Sequence, residues 1–191
     1  MKKEMKISAI ILAGGKSSRM SGNKALLPVC GTRLIEKIIR SLEPHFGEII
    51  ISAQEREPFE FLNKKIVVDE IPDYGPLMGI LCGLRASATS ANFVIACDIP
   101  EVNMAMVNEM IAQMEEYDIV VPLTGEKKYE PLFSIYKKTV IPWIETLLKQ
   151  DQRKIIKLFP LCRTKFIPME ANGWFFNLNT MEDYYQYISD P

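Results

Sequence analysis

Ile7-Ser8-Ala9-Ile10-Ile11-Leu12-Ala13-Gly14-Gly15-Lys16-Ser17-Ser18-Arg19-Met20, with Gly22 and Lys24 just beyond, is the stretch on which the fold turns. Its apolar half is a short run rich in isoleucine that stops at two glycines, the pattern of a strand buried on both faces. The run breaks at Gly14-Gly15-Lys16, so a first strand explains it better than a secretory core does. Glycines let main-chain N–H groups approach a ligand that a Cβ would keep away. Successive N–H groups form a concavity for anions. Arg19 can hold phosphate oxygens in a fork, and Lys24 adds a mobile point charge. The spacing matches neither the Walker loop nor the dinucleotide fingerprint. The plainer alternative is a tight strand–helix turn with exposed charges.

Working outward, short apolar runs recur, each followed by a helical pattern. Glu48–Ala53, Ile66–Val68, Phe93–Cys97 and Ile119–Leu123 read as strands. Leu34, Ile35, Ile38, Ile39 and Leu42 share one helical face. Met78, Leu81 and Leu84 form a second helical pattern, and Met104, Val107, Met110, Ile111 and Met114 a third, with the methionines as core filler. Alternating strands and helices predict βαβ units with right-handed crossovers. After residue 124 the pattern changes: Glu130–Tyr136 reads as a strand, Pro142–Leu148 as a helix and Phe166–Met169 as a strand. A last helix starts near Thr180, where Thr180 and Asp183 form a capping box. The expectation is one three-layer αβα domain over residues 1–191 with a mostly parallel, Rossmann-like sheet. The change of pattern divides it into parts of about 1–123 and about 124–191.

Composition narrows the chemistry. The chain has 191 residues, 48% hydrophobic and 25% charged, within the range of one globular domain. The net charge of −1 gives no cationic surplus for nucleic acid, and no stretch approaches the roughly 20 apolar residues of a membrane helix. The expected compartment is the cytoplasm. Cys30, Cys82, Cys97 and Cys162 lack metal-clip spacing and read as reduced thiols. With His45 the only histidine, Ser-His-Asp, Cys-His and multi-His chemistry is nearly excluded.

Other candidate site residues follow from position. Asp98 ends the apolar run Phe93–Cys97, at a carboxyl end of the sheet where ligands of open α/β folds sit. A carboxylate there can hold Mg²⁺; as an alternative it caps the next helix, although the pattern starts that helix near Asn103, too late for Asp98 to cap it. Asp69, after Ile66–Val68, can accept two hydrogen bonds from a guanine edge or bond a ribose hydroxyl, or it is a solvated turn residue. Gly75, Gly79 and Gly83 recur every four residues and allow close approach of ligand or backbone, helix–sheet packing being the bland alternative. Asn177 and Asn179 share one strand face, for phosphate or metal-bound water, or else form a turn into the last helix. Residues 124–170 hold ten Lys+Arg and five Asp+Glu, net +5, whereas residues 1–123 and 171–191 are each net −3. That segment is expected to dock an anionic acceptor, with Lys154 the best single candidate, unless it is an ordinary solvated face.

The stretch LAGGKSSRMSGNKALLPVCG resembles the opening signature of nucleotidyltransferases, and most of all that of the molybdenum cofactor guanylyltransferases. Asp69, Gly75-Pro76-Leu77-Met78-Gly79, Cys97-Asp98-Ile99-Pro100 and Asn177-Leu178-Asn179-Thr180 follow in that family's order, over nearly the whole chain. The resemblance implies the fold of nucleotide-diphospho-sugar transferases, with a nucleotide-binding part over about 1–123 and an acceptor-binding part over about 124–191, and transfer of GMP from GTP to molybdopterin, with pyrophosphate released. It implies Mg²⁺ on Asp98, catalysis by Arg19, Lys24 and Asp98, and nucleotide contacts from Leu12, Ala13, Gly14, Gly15, Lys24, Ser52, Asp69, Gly79 and Asp98. The position of Ser52 often carries an asparagine in the family; serine keeps a hydroxyl but is shorter. Expected partners are GTP, the molybdopterin-type acceptor, and other molybdenum cofactor biosynthesis proteins or recipient enzymes. The alternatives are a sibling using CTP or a sugar phosphate, and a non-catalytic nucleotide-binding protein. The cytidylyl relatives tend to open with Ala-Ala-Gly where this chain has Ala13-Gly14-Gly15, which favours guanine.

Overall fold

The computed structural model describes residues 6–14, 23–124, 128–169 and 175–189. Strands β1 (Ile7–Leu12), β2 (Pro28–Val29), β3 (Thr32–Arg33), β4 (Ile49–Ala53), β5 (Lys65–Val68) and β6 (Ala91–Ala96) form the first half with helices α1 (Leu34–Leu42) and α2 (Pro76–Ala86). Helix α3 (Met104–Ala112), strands β7 (Ile119–Thr124), β8 (Lys128–Tyr129) and β9 (Phe133–Lys137), helix α4 (Ile141–Lys149), strand β10 (Thr164–Met169) and helix α5 (Met181–Ser189) follow. The main sheet runs β10-β7-β9-β6-β1-β4-β5, with β8 paired to β7, while β2 and β3 form a separate hairpin. Within the main sheet β8 and β9 run antiparallel to their neighbours, and the other pairings are parallel.

The period of two along each strand explains the three layers. Ala9 and Ile11, Ile49 and Ile51, and Phe93 and Ile95 pack with α1, α3 and Tyr184 of α5 in one core. Ile10 and Leu12, Ile50, and Val94 face the other core, with α2 and α4. Every residue of β1 and β4 is buried, as near-continuous apolar runs require. Phe93 joins Phe46 in a stack at 5.8 Å and meets Phe133 edge-on at 5.0 Å.

Most predicted elements appear within a residue or two of their expected bounds. The box at α5 forms in both directions: Thr180 Oγ1 accepts from Asp183 N at 3.1 Å, and Asp183 Oδ2 accepts from Thr180 N at 2.8 Å. Two expectations need correction. Glu130–Leu132 is a turn, and the strand begins only at Phe133. Pro131 offers no N–H to a ladder there. Asn177 and Asn179 do not lie on a strand; Leu178 N bonds Asp98 O at 2.8 Å, and Asn179 N folds back to Asn177 O at 3.0 Å. With those amides taken, no ladder can continue along the segment.

The chain passes from β5 through α2 to β6 on the far side of β1, so the strand order reverses between β1 and β6. A crevice opens beyond the carboxyl ends at such a reversal. Backbone bonds carry the sheet one step into it. Ala13 N reaches Ser52 O at 2.8 Å, Cys97 N reaches Leu12 O at 3.0 Å, and Asp69 N reaches Ala53 O at 2.9 Å.

Candidate active site

Two adjoining cavities, of about 220 and 260 Å³, occupy this crevice and share Leu12, Gly14 and Pro76 as walls. The first also presents Ser52, Gln54, Asp69, Asp73, Gly75 and Gly79. The second presents Ala13, Asn23, Lys24, Ala96, Cys97, Asp98 and Leu132. Helix α2 starts at Pro76 after Gly75, whose φ of +86° is a backbone state that glycine adopts without strain. The positive end of this helix therefore borders both cavities, a favourable place for anionic groups.

In the first cavity Ser52 is buried, with Oγ 3.1 Å from both Asp69 Oδ1 and the Gly79 carbonyl oxygen, two acceptors that share its one hydroxyl proton. Burial pushes the Asp69 carboxyl above its ordinary range, and the Ser52 hydrogen bond opposes this. A Cβ on Gly79 would lie 3.1 Å from Ser52 Oγ and 3.2 Å from a Leu12 methyl, so glycine keeps this floor open. Gly14 has a different reason: its Cβ would press on the Ala53–Gln54 backbone, 3.3 Å from Gln54 N. Glycine here allows two strand ends to meet.

In the second cavity Lys24 Nζ donates to Leu178 O at 2.8 Å and Asn179 O at 3.2 Å. Lys24 thus spans from the segment after β1 to the one before α5. Burial raises the Asp98 carboxyl, and the nearby Lys24 charge pulls it back down. Asn103, not Asp98, caps α3, accepting from Met106 N at 3.1 Å. Burial pushes the Cys97 thiol up to about 12, so it is an inert wall.

Reasoning from sequence missed Glu130. Its side chain is 8% exposed, and burial raises its carboxyl against the charge of Lys128, 3.5 Å away, while Asp98 raises it further. Among the described residues Asn177 Oδ1 is buried without a hydrogen-bond partner, and Glu130 Oε1 beside it meets the Lys128 ammonium in an ion pair at 3.5 Å. A lone charge inside Tyr129–Phe133 was the available signal. A buried amide oxygen without a partner, beside the Glu130 carboxylate and near Asp98, fits an oxygen-seeking divalent cation. The described residues contain no cluster of three or more His, Cys, Asp or Glu able to cage a metal. That fits a cation held jointly with phosphates, as Mg²⁺ commonly is.

The expected site residues thus fall into three groups. Leu12, Ala13, Gly14, Lys24, Ser52, Asp69, Gly79 and Asp98 line the two cavities. Asn177 and Asn179 lie beside them through Leu178, Lys24 and Glu130. Lys154 stands apart, exposed before a turn whose Ile155 packs in the core on the α2 and α4 side, whereas Leu178 packs in the opposite one. Arg19 and Gly15 lie outside the described residues.

Residues 9–164 match the model of the MobA-like NTP transferase domain. The chain belongs to this family. It is 36% identical over 185 residues to a probable molybdenum cofactor guanylyltransferase of Carboxydothermus hydrogenoformans, covering 93% of each chain. It is also 36% identical over 184 residues to the molybdenum cofactor guanylyltransferase of Vibrio atlanticus, covering 94% of each. Among solved structures, molybdopterin-guanine dinucleotide biosynthesis protein A of Archaeoglobus fulgidus superposes with a TM-score of 0.82 at 22% identity, over 96% of this chain and 97% of that one. A Mycobacterium tuberculosis protein solved in complex with manganese shares the fold, with a TM-score of 0.69 at 16% identity, over 98% of this chain and 100% of that one. The MobA-like chain is therefore a nucleotidyltransferase, and its fold is that of the nucleotide-diphospho-sugar transferases. Among the described residues no helix is long and apolar enough to cross a membrane.

Proposed function

We propose that this MobA-like enzyme transfers GMP from GTP to the terminal phosphate of molybdenum-bound molybdopterin, releasing pyrophosphate. The observation that carries the reading is the divided crevice: Asp69 in one cavity, Lys24 and Asp98 in the other, with the α2 N-terminus bordering both. The base occupies the Asp69 cavity, and the phosphates run past Gly14 toward Lys24. The acceptor phosphate arrives from the Asn177–Asn179 side. That phosphate is already an anion at neutral pH, so its attack on the α-phosphorus needs no protein base. Lys24, anchored on two carbonyl oxygens, offers a preorganised positive charge to the triphosphate, and Arg19 adds a second in this reading. A divalent cation, Mg²⁺ in this proposal, would be held by Asp98 with Asn177 and Glu130 nearby, and would supply charge neutralisation of the phosphates. Ser52 acts here through Asp69, orienting the carboxylate from behind.

The test is a screen of the four common nucleoside triphosphates with molybdenum-loaded molybdopterin and, in parallel, with a sugar phosphate, following pyrophosphate release. GTP should be the preferred donor. A preference for CTP would assign the chain to the cytidylyl siblings, and turnover only with a sugar phosphate would replace the acceptor.

A further inference from the structure

The first cavity contains a contact that the guanylyl reading does not use. Gln54 follows β4 two residues after Ser52 and lines the same cavity as Asp69. Its Nε2 donates to Asp73 Oδ1 at 2.9 Å. The direction of this bond is chemically forced, because an ionised carboxylate only accepts and the amide must present its NH₂ group. Asp73 lines the same cavity from the loop before α2, with a φ of +55°. With the Gln54 nitrogen committed to Asp73, the amide oxygen is left as an acceptor.

The remaining wall has the same character. Asp69 receives Ser52 on Oδ1, and among the described residues no hydrogen bond reaches its Oδ2. Gln54 and Asp69 thus both bring acceptor oxygens to the lining of this cavity. The pairing edge of guanine carries two adjacent donors, N1–H and the 2-amino group. Adenine and cytosine each place a ring-nitrogen acceptor there, which would face the carboxylate with no proton between them.

We propose that Gln54, locked by Asp73, is a second base-reading residue that selects guanine together with Asp69. The inference rests on the guanylyl reading above and adds the residue that completes its specificity. The lock is what gives discrimination. A freely rotating amide could present its NH₂ group to the ring nitrogen of adenine, and Asp73 removes that option.

The experiment measures equilibrium binding of GTP, ITP and ATP to the full chain without acceptor, for wild type, Q54M and D73A. Methionine keeps the length of the side chain and removes both polar atoms. Wild type should bind GTP more tightly than ITP and ATP. Q54M should weaken GTP by about tenfold with little change for ATP, the size expected when one polar contact is lost. D73A frees the amide and should narrow the GTP–ATP gap from the other side, by improving ATP. Circular dichroism confirms that both variants fold. A wild-type enzyme with no guanine preference overturns both this inference and the guanylyl reading. A wild-type preference for GTP that survives unchanged in Q54M overturns the role of Gln54 alone.

Discussion

At the scale of single residues the site carries a cost that its function explains. Asp98 is held above its ordinary pKa by burial, with the Lys24 charge as a partial remedy. A carboxyl raised in the folded state makes the protein less stable as pH rises from the unfolded to the folded value, because the native state binds the extra proton. Asp98→Asn keeps the shape and removes that charge. We expect the variant to melt no lower than wild type at neutral pH, while kcat falls on the order of 10²-fold and the divalent cation needed for half-maximal rate rises. Thermal melts and cation titrations of the steady-state rate check both halves, and an unaltered cation requirement would make Asp98 structural. Asp98 was legible in the sequence because a polar residue ending an apolar run is placed by the sheet itself. Glu130 and Gln54 were less so. The role of Glu130 depends on Asn177 and Asp98 arriving from elsewhere, and that of Gln54 on a loop 19 residues away. The period of two from Ser52 to Gln54 was present in the sequence, but nothing local marked the second residue as part of the site.

At the scale of elements, the glycine spacing of α2 divides between chemistry and packing. Gly79 keeps the floor of the Asp69 cavity, whereas a Cβ at Gly83 would stand 2.6 Å from Ile10 Cγ2. That is closer than atoms can pack, and Ile10 is fully buried in β1, so helix or strand must shift. Gly83→Ala should therefore destabilise the fold by about 1–3 kcal/mol, read as a lower midpoint in urea unfolding, with GTP affinity of the folded fraction nearly retained. Another element contact is electrostatic. Asp118, at the start of β7, accepts from Arg163 N at 3.2 Å, Arg163 Nε at 3.1 Å and Thr139 Oγ1 at 2.9 Å, tying β7 to the start of β10. The Arg163 hydrogen bond in particular holds its carboxyl below the ordinary range. The stabilisation is present above the unfolded pKa and lost as pH falls through the lower, folded one. Asp118→Asn should lower Tm at pH 7, and the gap to wild type should close in acid; a gap independent of pH would leave shape, not charge, as the cause. The strands themselves were readable from apolar runs, but the Asn177–Asn179 segment was misread. Period-two spacing says nothing about whether a neighbouring edge is free to pair, and here Leu178 N was already bonded to Asp98 O.

At the scale of the whole molecule the charge is unevenly spread, and the fold determines which of the surplus cations can serve the acceptor. Residues 124–170 carry net +5, yet several of these cations are already engaged. Arg163 pairs with Asp118, and Arg153 pairs with Asp151 while stacking 3.9 Å over the Tyr74 ring. Tyr74 lies next to Asp73 in the loop that rims the Asp69 cavity, so Arg153 braces that side of the crevice. The apolar partners of the basic stretch divide as well: Ile155 and Leu158 are buried, but Ile156 is 47% exposed. Lys154 and Lys157 are both exposed, and they are the pair from this stretch whose removal separates steering from bracing. Exposed charges attract an anion over roughly 8 Å near physiological ionic strength, and added salt shortens that reach. Lys154→Gln with Lys157→Gln should therefore raise the KM for acceptor severalfold at low salt. The effect should fade as salt is added, with the KM for triphosphate unchanged throughout. Arg153→Gln should do the reverse, raising the KM for triphosphate through the loosened Tyr74–Asp73 loop, with little dependence on salt because stacking, not distance, carries the effect. Steady-state kinetics at two ionic strengths separate the two. If the double lysine variant leaves the acceptor KM unchanged at low salt, the basic stretch is a solvated face, and the acceptor is held by the Asn177–Asn179 side alone.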